Sequence, residues 1–251
     1  MGLKILLPFI LLFCGGTAQA QQVRFVYSIG TCQGFLARMN PQAATVYLFS
    51  AGHCVSGVKS FDDPDRIVIR KDIGKTKEFQ IYGAGKVQSD QVLFASYQSV
   101  DFAILKIKQS VSDLQKMGIT PYVLSAAQSP LSTQVTVHNL DVSETTSCTI
   151  EHYPYQMTYR EAVWLWSGRL AQECQITHGW SGAAVLNALT NEVIGLVAGG
   201  NETGDCTDYC EVEKSGTQSA FKDQTYFSRL DFLHSCADAL GEIVPELCHL
   251  K

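Results

Sequence analysis

The stretch "ATVYLFSAGHC" occupies residues 44–54. Thr45, Val46, Tyr47 and Phe49 are β-branched or aromatic side chains, the types that suit a pleated, half-buried surface. The run is short and stops at Gly52, so its length is that of a strand rather than a helix. A histidine stands at the strand end, and a cysteine follows it. Such a histidine can be held in one orientation if the cysteine is cross-linked.

The same kind of run recurs outward in both directions. "VRFVYSIG" (23–30), "DRIVIRK" (65–71), "KEFQIYGAG" (77–85), "QVLFASY" (91–97) and "DFAILKIK" (101–108) lie in the first half. "TQVTVHNL" (133–140), "AVWLWSG" (162–168) and "EVIGLVAGG" (192–200) lie in the second. Gly, Pro, Asn or Asp punctuate them. Many short strands at this spacing predict an all-β sandwich or barrel. The helical patterns of about 10–15 residues that a parallel βαβ sheet needs between strands are missing. One helix is predicted near the end, in "SRLDFLHSCADALG" (228–241). Leu230, Leu233, Ala237 and Leu240 recur there at helical spacing with Cys236 beside them, Ser228 is the candidate N-cap and Gly241 the stop. The polar segment "QSVSDLQKMGITPY" (109–122) reads as a connector between two β-rich halves.

The chain has 251 residues, 46% of them hydrophobic and 17% charged, with a net charge of −5. That is enough for one large domain or two small ones. No basic run exists, which argues against nucleic acid as a partner. The N-terminus reads as a secretory leader: Lys4, an apolar run from Ile5 to Phe13, then Ala18-Gln19-Ala20 before a cleavage point. Residues 1–20 are therefore excluded from the fold, and the mature form is expected in the periplasm or outside the cell, with no membrane span. Lipidation at Cys14 is the rival reading, weakened by the bulky Phe13 before it. Of nine cysteines, removing Cys14 leaves eight: Cys32, Cys54, Cys148, Cys174, Cys206, Cys210, Cys236 and Cys248. An even number in an exported chain favours disulfides. No metal is expected, because Cys206-x-x-x-Cys210 is a lone pair with no partner pair nearby, and no cofactor motif is present.

Chemistry is suggested by a second stretch, "QITHGWSGAAV" (175–185). Ser181 sits between Gly179-Trp180 and Gly182, where glycine permits sharp turns and close approach. A serine hydroxyl is a weak nucleophile until a base takes its proton. His53 is the candidate base. Asp101 opens the apolar "DFAILKIK" run, so it is expected to be partly buried and paired, and a histidine ring N–H is a natural partner. Each residue alone has an ordinary structural reading. The order His53, Asp101, Ser181, each in its own context, is what points to catalysis.

On "SAGHC", "VDFAILKI" and "GWSG", the chain resembles the chymotrypsin-like serine proteases, closest in character to bacterial secreted members. "TCQGFLARM" upstream of the histidine and "VIGLVAGG" after the serine add to the resemblance, which spans residues 26 to about 240. It implies two antiparallel six-stranded barrels with the active site between them, followed by a C-terminal helix. The corresponding boundaries are 21–112 for the first barrel, 113–225 for the second and 226–251 for the helix and tail. It implies Ser181 as nucleophile, His53 as general base and Asp101 as its orienter, with the N–H groups of Gly179 and Ser181 forming an oxyanion hole. It also implies a Cys32–Cys54 bridge and, as in some bacterial members, Cys148–Cys174. Cys206–Cys210 and Cys236–Cys248 then remain, with Cys174–Cys206 as rival.

Several positions depart from the family pattern. Trp180 stands where animal members carry the aspartate that pairs with a new N-terminus, so activation by N-terminal insertion is not expected. Ala183 and Ala184 replace the usual Gly-Pro. Ala198 falls where a serine often supports the buried aspartate. Gln175 occupies the specificity position six before the serine, with His178, Ala198, Gly199 and Gly200 as the other substrate-binding candidates. Glu202, Asp205, Asp208, Glu211 and Asp223 are acidic residues able to favour a basic side chain, or are simply solvated. The reading is an exported serine endopeptidase acting on protein or peptide substrates, monomeric, with a proteinaceous inhibitor as a further partner. The alternative is a catalytically inactive homologue acting as a binding module. An α/β-hydrolase esterase is disfavoured because Ala183 breaks Gly-x-Ser-x-Gly.

Overall fold

The computed structural model of the chain describes residues 22–27, 30–55, 67–81, 83–97, 99–139, 145–159, 162–174 and 176–248. The leader expected over 1–20, and the candidate Gln175, lie outside these residues.

The first half forms β1 (Gln22–Tyr27), β2 (Gly30–Arg38), β3 (Tyr47–Ser50), β4 (Ile67–Ile81), β5 (Gly85–Ser96) and β6 (Phe102–Ile107). They run in the antiparallel order β1-β4-β5-β6-β3-β2, and β1 pairs again with β2, Val23 opposite Gly34. Residues 67–71 and 77–81 of two apolar runs belong to one strand, β4. The polar Gly-containing segment between them stays in the sheet through an irregular register between Asp72 and Lys77, as a bulge allows. β3 does not alternate. Tyr47, Leu48, Phe49 and Ser50 are all buried, which is why the opening stretch reads as a continuous apolar run.

A short helix, α1 (Val111–Lys116), follows, and then β7 (Tyr122–Val123), which pairs in parallel with the end of β2. α1 falls in the predicted connector. It is closed by a capping box: the Ser110 side chain accepts from the Asp113 N–H, and the Asp113 side chain accepts from the Ser110 N–H.

The second half contains β8 (Gln134–His138), β9 (Thr145–His152), β10 (Gln156–Tyr159), β11 (Ala162–Trp164), β12 (Ser167–Leu170), β13 (Ala184–Asn187), β14 (Val193–Asn201), β15 (Tyr209–Val212), β16 (Gln218–Ser219) and β17 (Gln224–Arg229). Six of these close a barrel in the order β12-β17-β14-β13-β8-β9, and β11-β10-β15-β16 form a side sheet. β17 runs across the 225/226 boundary expected from the sequence, and β7 joins the first half's sheet although it lies beyond residue 112.

Two apolar clusters result. One extends from the first half through Trp164 and Tyr209 to Phe232. The other fills the closed barrel around Val185, Phe227 and Trp180. Four disulfides join Cys32 to Cys54, Cys148 to Cys174, Cys206 to Cys210 and Cys236 to Cys248. The rival Cys174–Cys206 bridge is not formed. Among the described residues no helix is long and apolar enough to cross a membrane.

The predicted C-terminal α-helix is corrected by the structure. The segment is a 3-10 helix over Asp231–Cys236. Ser228 is not its cap but a member of β17, opposite Ser167 and Leu196. Arg229 clasps Asp231 at 2.7 Å, and a bridge between Ala237 and Ile243 turns the chain away. Leu240, which completes the helical pattern in the sequence, is 75% exposed. The apolar spacing is real, but it faces the core for one turn only.

Candidate active site

His53 sits in a 3-10 turn, Gly52–Cys54, directly after β3. Its Nδ1 lies 2.8 Å from Asp101 Oδ2, and its main-chain N–H donates to Asp101 Oδ1 at 3.1 Å. Both carboxylate oxygens are therefore used by one residue, which fixes the ring and leaves Nε2 for other work. Asp101 is fully buried, whereas the His53 side chain is 22% exposed. Burial of the ring opposes its protonation, but the charge of Asp101 and its hydrogen bond outweigh that, so the His53 pKa is raised above the ordinary 6.5. Gly52 is required here by close approach: a Cβ on it would stand 1.8 Å from the Ser96 carbonyl oxygen.

Asp101 is held from the other half of the molecule. The Ser228 hydroxyl donates to the Asp101 main-chain carbonyl at 2.8 Å. Ser99 pairs with β11 and the residue after it: its N–H donates to Val163 O at 2.8 Å, and its carbonyl accepts from the Leu165 N–H at 2.7 Å. Trp164 Nε1 donates to Tyr97 O at 2.7 Å, and the Tyr97 ring meets His53 edge-on at 6.2 Å. Ala198, where the family pattern puts a supporting serine, is buried and offers the carboxylate no side-chain hydrogen bond. Ser228, read from the sequence only as a helix cap, braces the aspartate's backbone instead.

The nucleophile candidate belongs to the closed barrel. Gly179 and Gly182 flank it with φ of 93° and 85°, values that L side chains rarely adopt. Trp180 is 4% exposed and packs inside the barrel with Val137, Cys148 and Cys174. The turn is sewn to its neighbours: Gly182 N–H donates to Val197 O at 2.8 Å, Ala183 N–H to Trp180 O at 2.9 Å, and Gln33 N–H to Ser181 O at 2.8 Å. The N–H groups of Gly179 and Ser181 have no partner among the described residues, so both are free to donate. Ser181 shares a cleft with His53, Tyr97, Tyr159 and Ala198, but its hydroxyl makes no hydrogen bond to His53.

Beside this cleft lies a pocket of about 500 Å³, reaching from Ser181 past Gly199 and Gly200 to Asp223, Gln224 and Thr225. His178 and Glu202 pair at 2.9 Å across its mouth. The expected acidic residues separate. Glu202 and Asp223 line the pocket, and Asp208 lines the neighbouring cleft. Asp205 is spent on a turn with Thr207. Glu211 is buried against Arg169 at 2.8 Å and Tyr226 at 3.1 Å. His152 lies 3.8 Å from Glu211 and 3.0 Å from Glu213, which joins these residues and Arg169 in one ion-pair network. Asn201-Glu202-Thr203 has the pattern of an N-glycosylation sequon, but Asn201 is 1% exposed, and its amide donates to Asp205 O and Tyr209 O. In the folded chain it offers no acceptor for a glycan.

No protein-family model and no curated protein sequence matches the chain. Solved structures similar to it are chymotrypsin-like serine proteases. Nocardiopsis protease is 14% identical, with 84% of this chain and 90% of that chain covered and a TM-score of 0.47. Cellulomonas bogoriensis chymotrypsin is 14% identical, with 84% and 88% covered and a TM-score of 0.44. Neuropsin, a serine protease of mouse brain, is 9% identical, with 85% and 91% covered and a TM-score of 0.49. At such identities and scores no residue's role passes from those proteins to this one, and the function is read from this chain's own atoms.

Sequence reasoning missed Gln33, Tyr97, Ser228 and Gln224 as residues of the site. Gln33 had one available signal, a polar residue directly after a bridged cysteine in a strand. The other three are placed by pairings between distant segments, which no local pattern encodes.

Proposed function

We propose that the chain is a serine endopeptidase that hydrolyses peptide bonds through an acyl-enzyme on Ser181. The observation that carries this reading is the buried Asp101–His53 pair, closed on both carboxylate oxygens, opening onto a cleft that Ser181 shares. His53 takes the Ser181 proton as the hydroxyl attacks the carbonyl carbon, then delivers it to the leaving amine. Asp101 holds the tautomer with the proton on Nδ1 and stabilises the imidazolium. The unpartnered N–H groups of Gly179 and Ser181 are the donors for the developing oxyanion. Water then attacks the ester and His53 runs the same proton transfer in reverse. The ring of pairings in the first half is read as a second barrel, which puts the cleft between two barrels. The four disulfides support an oxidising compartment, hence export to the periplasm or medium. Protein or peptide chains are the proposed substrates, with the extended backbone lying along Gly199 and Gly200.

One observation favours a second reading, a binding module without catalysis: the missing Ser181–His53 hydrogen bond. Catalytic hydrogen bonds commonly tighten only in the substrate complex, so the first reading is preferred. Treatment with a fluorophosphonate followed by peptide mapping decides. A single adduct on Ser181, absent in Ser181→Ala, is the expected result. A chain that stays unmodified and leaves casein intact would be the binding module.

A further inference from the structure

We propose that Gln33 is a positioning residue that sets the oxyanion hole of this chain; the proposal rests on the protease reading above. Gln33 lies in β2, next to the bridged Cys32, and is 3% exposed. Its side-chain Nε2 donates to the Gly179 carbonyl at 3.0 Å and to Asn139 Oδ1 at 3.1 Å. Its main-chain N–H donates to the Ser181 carbonyl at 2.8 Å. Its own carbonyl accepts from the Ser50 hydroxyl at 2.6 Å. One residue of the first half thus grips two carbonyls of the nucleophile turn.

The consequence follows from peptide geometry. The Gly179 carbonyl belongs to the peptide before Trp180, and the Ser181 carbonyl to the peptide after Ser181. The peptide between them carries the Ser181 N–H. Peptides are planar, so holding the units on both sides sets the two Cα positions that the middle unit spans, and the Ala183 N–H, donating to the Trp180 carbonyl at 2.9 Å, sets which way that unit faces. The hold matters because Gly179, with φ of 93°, has little steric resistance to turning. An uncompensated turn about Gly179 would swing the Ser181 N–H out of its common direction with the Gly179 N–H, where negative charge develops. Trp180 anchors the turn by packing, but packing does not choose which way a peptide faces. The Gln33 amide does, and Asn139 orients that amide by accepting its other hydrogen. Gly182 leaves the room this contact needs, since a Cβ there would stand 2.1 Å from the Gln33 carbonyl oxygen.

The test is pre-steady-state acylation by p-nitrophenyl acetate, counted per site titrated with fluorophosphonate. Gln33→Met keeps the length and removes the donor. Its acylation rate constant is expected to fall about 10–100-fold, a fraction of what loss of a whole oxyanion donor costs. The dissociation constant for the ester should stay within about twofold, and the pH inflection of His53 should not move. A purely structural role would instead lower the titratable fraction and leave the rate per site intact. Asn139→Ala, farther from the turn, gives the same signature at smaller size and serves if Gln33→Met does not fold. An active wild type with unchanged rate constants in both variants overturns the role of Gln33 alone. A wild type that neither turns over the ester nor labels overturns the protease reading with it.

Discussion

The two limbs of the site are built differently. The base limb, His53 with Asp101, is closed by two hydrogen bonds of its own, 2.8 and 3.1 Å long, and one disulfide pins the histidine turn to β2. The nucleophile limb, Gly179 to Gly182, makes no hydrogen bond to the base. It is held by the buried Trp180, by β14 and by Gln33 from the opposite half. The first limb closes its side chains on each other and is braced from the second half only through backbone groups at Tyr97, Ser99 and Asp101, and the second is a turn whose geometry is imposed from outside. A catalytic reading needs both, and they respond to perturbation in separate ways.

The largest effect is expected at the nucleophile. Ser181→Ala should lose turnover by about a millionfold, as for a unit whose members act together, with unchanged thermal stability; residual hydrolysis near the wild-type rate would break the comparison outright. Next is Asp101→Asn, which should lower the rate about 10⁴-fold through the wrong histidine tautomer. Its pH profile gives the sign. In the wild type His53 must be neutral to act, so the rate rises with pH through an inflection above 6.5, set by Asp101. Without that charge only burial remains, which favours the neutral ring, and the inflection should move down. An inflection that stays put would remove Asp101 from the base limb.

Smaller effects sharpen the contrast. Trp180→Ala empties part of the barrel core and should cost about 3–5 kcal/mol of stability in denaturant titration, while the inflection of His53 stays at its wild-type position. Replacing Cys32 and Cys54 together by serine opens a loop of 22 residues and should cost about 2–4 kcal/mol. Here the inflection is expected to shift, because the histidine turn loses its anchor. If both variants moved the inflection equally, the two limbs would not be independent.

Much of this was legible in the chain. β3 and β6 read directly, because buried strands of β-branched and aromatic residues carry their own signal, and the residues that follow or precede them are His53 and Asp101. The serine turn read from its glycines. β9, β10 and β15 were not legible, since their polar and small residues pair at side-sheet or barrel positions fixed by partners far along the sequence. The C-terminal segment misled because helical spacing over 230–240 was read without knowing that Ser228 belongs to β17.

By itself, then, the sequence determined the strand content, an even set of cysteines and three residue types suited to acyl transfer, because periodicity and side-chain chemistry are local properties. Only the tertiary structure decided that Asp101 closes on His53, that Ser228 braces it, that Asn201 is buried and that Gln33 reaches Gly179. Those facts depend on which backbones lie within about 3 Å of one another, and such distances are set by the register of strands many residues apart.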